Sequence, residues 1–204
     1  TCHLGEALRV KEERSKQPRL YGWVCTRSGR LKATMKLEPL EPEHAYQINN
    51  WRIKERHTLR TPFMRSDAEQ LNFQNDLANC SRRRFFAIIQ ENKLLACGGF
   101  TGIIWESKIA EVSLIVDPEK RGNGRDCAKL LLDEAFLNMG LQTVCGEVYY
   151  CGNVSFWEKL LDELEDVYET EYYTLHWRKY WQGKFYSSLY FAFHLPSKKM
   201  LTQI

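Results

Sequence analysis

The segment Ala110-Glu111-Val112-Ser113-Leu114-Ile115-Val116-Asp117-Pro118-Glu119-Lys120-Arg121-Gly122-Asn123-Gly124-Arg125-Asp126 holds the densest chemistry in this chain of 204 residues. It reads as a strand stopped by Asp117-Pro118, a tight basic loop with two glycines, and the first turn of a helix. Glycine lets the backbone bend and approach a ligand closely. A helix start supplies N–H groups without intrahelical acceptors and the positive end of the helix dipole. Together these features predict a phosphate or pyrophosphate site on the amides from Arg121 through Gly122, Asn123, Gly124 and Arg125 to Asp126. The guanidiniums of Arg121 and Arg125 can add charge-assisted hydrogen bonds. On local grounds a tight turn with surface arginines is the competing reading. A dinucleotide fingerprint would need glycine where Cys127 stands, and the Gly-Lys-Ser/Thr of a Walker loop is absent.

The elements that must position this loop follow from periodicity and punctuation. Met35 to Pro39 reads as a strand, and Pro42-Glu43 leads into a helix with Ala45, Ile48, Trp51 and Arg52 at helical spacing. Ser66-Asp67-Ala68-Glu69 is a capping box that opens a second helix carrying Leu71, Phe73 and Leu77. Phe85–Gln90 and Leu94–Phe100 form strands around an Glu91-Asn92-Lys93 turn, with Gly98-Gly99 marking a bulge or a close approach. Ala110–Val116 is a strand and Gly124–Leu137 a helix with Cys127, Leu130, Leu131, Ala135 and Phe136 inward. Thr143–Tyr149 is a strand and Ser155–Leu161 a short helix. Tyr168–Trp177 and Ser187–Leu195 are strands joined across Trp181-Gln182-Gly183-Lys184. The order β α α β β β α β α β β predicts an α/β domain with a mixed, mainly antiparallel sheet.

Composition excludes several classes. The 44% hydrophobic and 27% charged fractions are those of a globular chain. No run of about 18 apolar residues exists, so no membrane-spanning helix is expected, and residues 1–8 lack the pattern of a secretory signal. Residues 1–34 hold eight Lys/Arg and three Glu, which leaves 21 basic and 23 acidic residues for the rest. The basic balance therefore belongs to a leader, and the main domain carries no nucleic-acid footprint. The expected organisation is a basic leader over 1–34, a domain over 35–195 and a tail over 196–204. The leader reads as a solvated segment or, since Thr rather than Met comes first, as part of a longer chain. The seven cysteines are scattered, with no metal spacing among them or the five histidines, so reduced thiols in the cytoplasm and no metal are expected.

The chemistry-bearing segment resembles a family. Glu111 to Pro118 followed by Arg121-Gly122-Asn123-Gly124 is similar to the acetyl-CoA-binding motif of the GCN5-related N-acetyltransferases. Met35-Lys36-Leu37-Glu38-Pro39-Leu40 resembles that family's first strand. Asn50-Trp51-Arg52 with Leu59-Arg60-Thr61-Pro62-Phe63, and the hairpin from Trp181 to Tyr190, resemble its ribosomal-protein-alanine acetyltransferase branch. The resemblance spans roughly 35–195 and departs from the family pattern at Glu119, where Gln or Arg is usual.

The resemblance implies a twisted sheet with helices on both faces and a splayed central strand pair. The backbone of Leu114, Ile115 and Val116 would hold the pantetheine arm of acetyl-CoA, and the amides from Arg121 to Asp126 its pyrophosphate. It implies direct acetyl transfer to a primary amine, with a strand N–H stabilising the oxyanion. An alkyl ammonium must lose a proton first. Glu111, which shares a strand face with Ser113 and Ile115, is the first candidate base and Glu147 the second. The family's thiolate-protonating Tyr is replaced in Phe156-Trp157-Glu158-Lys159, and indole is no acid. Trp157 is left to pack on the cofactor arm or fill core. Tyr149, Tyr150 and Ser155 are candidate substitutes. Asn153 either bonds the pantetheine amides or caps a helix.

The acceptor is a small-molecule or peptide amine. Seven acids between Glu158 and Glu171 would favour a polyamine or basic peptide if they rim the cleft, and otherwise form a solvated face. Trp51, Trp105, Tyr172, Tyr173, Trp177, Tyr180 and Trp181 would line an acceptor wall or pack in the core. Cys127, on the inward face of its helix, reads as core rather than a nucleophile. The rival to an enzyme is an inactive module that binds CoA or a protein, which Glu119 and Trp157 favour. Oligomeric state stays open, a homodimer included.

Overall fold

A computed structural model describes residues 34–77 and 79–196. The leader and the tail expected from sequence lie outside those residues, save Thr34 and Pro196. In chain order the elements are β1 Met35–Pro39, α1 His44–Lys54, α2 Asp67–Leu77, β2 Arg84–Gln90, β3 Lys93–Ile104, β4 Ile109–Val116 and α3 Gly124–Asp133. One π-helical turn, Glu134–Asn138, ends α3. Then come β5 Thr143–Tyr149, α4 Val154–Leu164, β6 Glu169–Trp181 and β7 Lys184–His194. The order predicted from sequence is the order found.

The seven strands form one sheet in the order β1-β2-β3-β4-β5-β7-β6. Every neighbouring pair is antiparallel except β4 and β5, which run parallel. Alternate residues of the strands enter two cores. Ile88, Phe100, Ala110, Val112, Val144 and Val148 pack with α3 and α4 on one face. Ala87, Ile89, Leu94, Cys97 and Ile115 pack with Ile48 and Trp51 of α1 on the other. The first face is the larger because two amphipathic helices close it, with Cys127, Leu131, Leu160 and Leu161 buried. Cys127 is therefore core, as its place on the helix predicts.

Local chemistry explains the boundaries. Ser66 and Glu69 form the reciprocal cap: Ser66 N–H donates to Glu69 Oε2 at 2.7 Å and Glu69 N–H to Ser66 Oγ at 3.2 Å. Glu91 and Asn92 take positive φ of 52° and 58°, the backbone a two-residue hairpin needs. Gly98-Gly99 proves to be a close approach, because a Cβ at Gly99 would lie 2.1 Å from the Arg84 carbonyl oxygen. The irregularity between β2 and β3 falls instead at Ile88/Ile89.

Two features differ from expectation. The buried residues of α2 are Gln70, Gln74 and Leu77, so its inner face is more polar than the Leu71-Phe73-Leu77 pattern suggests. Strand β6 runs past Trp177 to Trp181 across a bulge between Leu175 and Lys179, where Trp177 adopts φ 58°.

Candidate active site

The turn after β4 is built from within. Asp117 is nearly buried; its N–H donates to Leu95 O at 2.9 Å and its Oδ1 accepts the Glu119 N–H at 3.0 Å. Asn123, the N-cap of α3, sends its side chain back to Lys120 O at 3.0 Å and makes no cap bond to the helix. A side-chain cap would consume first-turn amides; without one they stay directed at whatever lies in front of the helix. Gly122 has φ 96°, which a side chain would strain. Gly124 is small for another reason: a Cβ there would sit 3.2 Å from the Phe156 ring of α4.

The charged residues of the turn have partners. Glu119 is drawn outward to Lys54 Nζ at 2.8 Å, which removes the conflict its acid would create beside a phosphate. Arg121 lies 3.8 Å from Glu55, at the end of α1. Arg125 pairs with Glu163 of α4, which also takes Lys129 of α3.

Beside this turn the sheet forks. β4 and β5 pair only at Ile109/Thr143, Ala110/Val144 and Glu111/Cys145. Beyond that point β4 keeps β3 on one side, through Gly98/Leu114, Cys97/Ile115 and Ala96/Val116, while its other edge is not paired with β5. The backbone of Leu114, Ile115 and Val116 thus offers alternate N–H and C=O groups to a slot that leads to the helix start. Asn153 is exposed at the N-cap position of α4, with no side-chain cap bond. Trp157 stacks on Phe191 at 4.5 Å and meets Phe156 edge-on at 5.1 Å, so it extends the core beside the fork.

At the fork the structure brings together Glu111, Glu147 and Tyr149. All three lie at odd positions of β4 and β5 and share the face opposite α3 and α4. Arg60, from the α1–α2 connection, joins them. Its Nη1 donates to Glu111 Oε2 at 3.0 Å, its Nη2 bonds the other oxygen, and the same nitrogen lies 3.3 Å from Glu147 Oε2. Burial pulls the Arg60 guanidinium down, but Glu111 and the Tyr149 hydroxyl outweigh it and hold it above its ordinary value. Glu147 Oε1 accepts Ser188 Oγ at 2.7 Å and Arg178 Nε at 3.1 Å. Burial pushes the Glu147 carboxyl up, yet Ser188, Arg178 and Arg60 together hold it below its usual range. Burial raises the Tyr149 phenol against the Arg60 hydrogen bond, so Tyr149 keeps its proton at neutral pH.

Sequence reasoning singled out neither Arg60, Arg178, Ser188 nor Lys179 as a site residue. Lys179 Nζ donates at 2.6 Å to both His57 O and Leu59 O, and so fixes the backbone that carries Arg60. A run quoted for its resemblance, Leu59 to Phe63, contained Arg60 but no periodicity to aim it.

No protein-family model and no curated protein matches the chain. Solved structures do. Mutant forms of the spermidine/spermine N-acetyltransferase SpeG from Vibrio cholerae align with a TM-score of 0.68 at 19% identity, over 83% of this chain and 98% of theirs. The Vibrio cholerae spermidine N-acetyltransferase in complex with CoA and spermine aligns at 0.66 and 18%, over 78% and 95%. The ribosomal-protein alpha-N-acetyltransferase RimL in complex with coenzyme A aligns at 0.67 and 13%, over 79% and 94%. The fold is that of the GCN5-related N-acetyltransferases. Within this N-acetyltransferase fold Glu158, Asp162 and Glu163 belong to α4, across the sheet from the Glu111 cluster, whereas Glu171 shares that cluster's face through the row Glu111/Cys145, Cys145/Ala192 and Ala192/Glu171. Glu163 serves Arg125 and Lys129, and Glu171 lies 3.2 Å from His194, which bonds Thr143 at the paired end of β5. Of the aromatic wall, Trp51 is core, and Trp177 and Tyr180 cluster around Phe185 at the exposed β6–β7 end.

Proposed function

We propose that the chain transfers an acetyl group from acetyl-CoA to a primary amine by direct attack. The observation that carries this reading is the abrupt end of β4–β5 pairing at Glu111/Cys145, beside a helix start whose N-cap side chain is turned away. A slot with one strand edge open fits an amide-bearing arm, and a cluster of first-turn amides fits a diphosphate.

The amides from Arg121 to Asp126 take the pyrophosphate, while Leu114, Ile115 and Val116 take the pantetheine amides. Arg121 and Arg125 add charge by sharing themselves with Glu55 and Glu163. Asn153, uncapped, is placed to bond the same arm. Trp157 walls the slot from the core side. A β4 N–H near the fork receives the oxygen as the thioester carbonyl becomes tetrahedral; removing one such donor from comparable sites costs about 3–4 kcal/mol of transition-state stabilisation.

Glu111 stands at the fork and takes the proton from the incoming ammonium, directly or through water. Both its oxygens accept from Arg60, but each keeps a second lone pair for that purpose. Glu147 is the reserve base and, held ionised by Ser188 and Arg178, the weaker one. The amine nitrogen bonds the carbonyl carbon, the carbon–sulfur bond breaks, and the thiolate leaves. Tyr149, kept protonated by burial, is the proton donor to that sulfur in place of the tyrosine that Trp157 replaces.

The test is thiol release from acetyl-CoA over a panel of primary amines. Release with at least one amine, and an acetylated product by mass, is the expected result. CoA binding with no release for any amine would assign the chain as a binding module instead.

A further inference from the structure

The acceptor side of the fork is cationic, and that bears on the substrate. Four positive side chains gather there. Arg60 and Arg178 touch the carboxylates, and Arg56 and Lys179 lie 5.5 Å from the centre of the Trp181 ring. Against them stand Glu111 and Glu147, and each is already bound to arginine. A polyamine brings several ammonium groups and would need carboxylates in surplus. Of the acids from Glu158 to Glu171, Glu163 is taken by Arg125 and Lys129 of α3, and Glu171 by His194.

Arg178 is the one that both touches Glu147 and keeps its terminal nitrogens in reserve. Its side chain is 50% exposed and it gives Nε to Glu147. Among the described residues its two terminal nitrogens have no partner. The residue is aimed by the β6 bulge, in which Trp177 adopts φ 58°. A bulky residue in the left-handed region is strained, and such strain persists where the surroundings fix it. Without the bulge, alternation along the strand would turn Arg178 to the other face.

Resting on the acetyltransferase reading, we propose that the acceptor is a primary amine with a carboxylate close to it, as in an amino acid or an acidic peptide N-terminus. Arg178 takes that carboxylate through its terminal nitrogens while the amine points towards the fork. The planar guanidinium suits bidentate carboxylate recognition, and Lys179 and Arg56 add to the field.

The full chain and acetyl-CoA are assayed by thiol release with a short peptide acidic at its second and third positions and with its amide-for-acid twin. A free amino acid and spermidine complete the panel. The acidic peptide should exceed its twin in kcat/KM by about tenfold or more, the worth of one charge-assisted contact. Spermidine should fall below both, and the free amino acid separates a small-molecule source from a peptide one. Arg178→Gln should bring the acid-to-amide ratio near one, mainly through KM, and Arg178→Lys should keep part of it. Spermidine outpacing the acidic peptide, or a folded Arg178→Gln with the ratio intact, overturns the inference. If no amine is acetylated while CoA binds, the enzyme reading fails separately. The same acid-against-amide preference is then read by calorimetry on the CoA-loaded protein, and equal affinities would overturn it there.

Discussion

Ser188→Ala removes one hydroxyl from the site and tests how Glu147 is held. Ser188 is fully buried, and its Oγ donates to Glu147 Oε1 at 2.7 Å. The Glu147 side chain is only 8% exposed, so water cannot readily replace the lost donor. Arg178 and Arg60 remain, which limits the damage. A hydrogen bond to a buried charged acceptor is worth about 1.5–3 kcal/mol, and the variant should lose about 2 kcal/mol at pH 7. The loss should depend on pH with a definite sign. Glu147 is held below its ordinary value of 4.5, so the stability it contributes is complete above that value and fades as pH falls through the lower, folded one. The gap between wild type and Ser188→Ala should therefore be full at pH 7 and narrow below about 4.5. Urea unfolding at both pH values measures it. A gap under about 0.5 kcal/mol at pH 7, or one that does not change in acid, would refute this account of Glu147.

Three more perturbations probe the turn, the fork and the core. Gly124→Glu should abolish thermal stabilisation by CoA, because even its Cβ would press on Phe156 at 3.2 Å and its carboxylate would face the diphosphate; stabilisation that survives would remove the turn assignment. Glu111→Gln should lower kcat by about a hundredfold with CoA affinity little changed, and a rate that keeps its value and pH dependence would exclude Glu111 as the base. Gly146→Ala should destabilise the fold by about 1–3 kcal/mol, since its methyl would fall 2.3 Å from the Phe191 ring; a neutral variant would mean that β7 gives way freely.

The fold was legible because its boundaries are written in local chemistry. Asp117-Pro118 ends β4, Glu91-Asn92 and Gln182-Gly183 turn the hairpins with positive φ, and Ser66 with Glu69 starts α2. The turn between β4 and α3 was legible for the same reason: strand, glycines and helix start are consecutive. The fork's chemistry was only half legible. Glu111, Glu147 and Tyr149 share one face by alternation, which two strands reveal on their own. Arg60 reaches Glu111 across 51 positions and Arg178 reaches Glu147 across 31, and no period encodes such pairs. Arg178 is hidden further by the bulge at Trp177, which breaks the alternation that would place it. The inner face of α2 escaped because glutamines, not leucines, are buried there. Of the acid run, read either as an acceptor rim or as a solvated face, only Glu163 finds partners on α3, a contact between helices that no spacing encodes.

The most direct measurement is the crystal structure of the chain soaked with coenzyme A. The diphosphate should lie on the amides from Arg121 to Asp126, with the pantetheine arm along Leu114, Ile115 and Val116 and its sulfur near Glu111 and Tyr149. Coenzyme A bound elsewhere, or β5 closed onto the free edge of β4 so that the arm has no slot, would contradict the account.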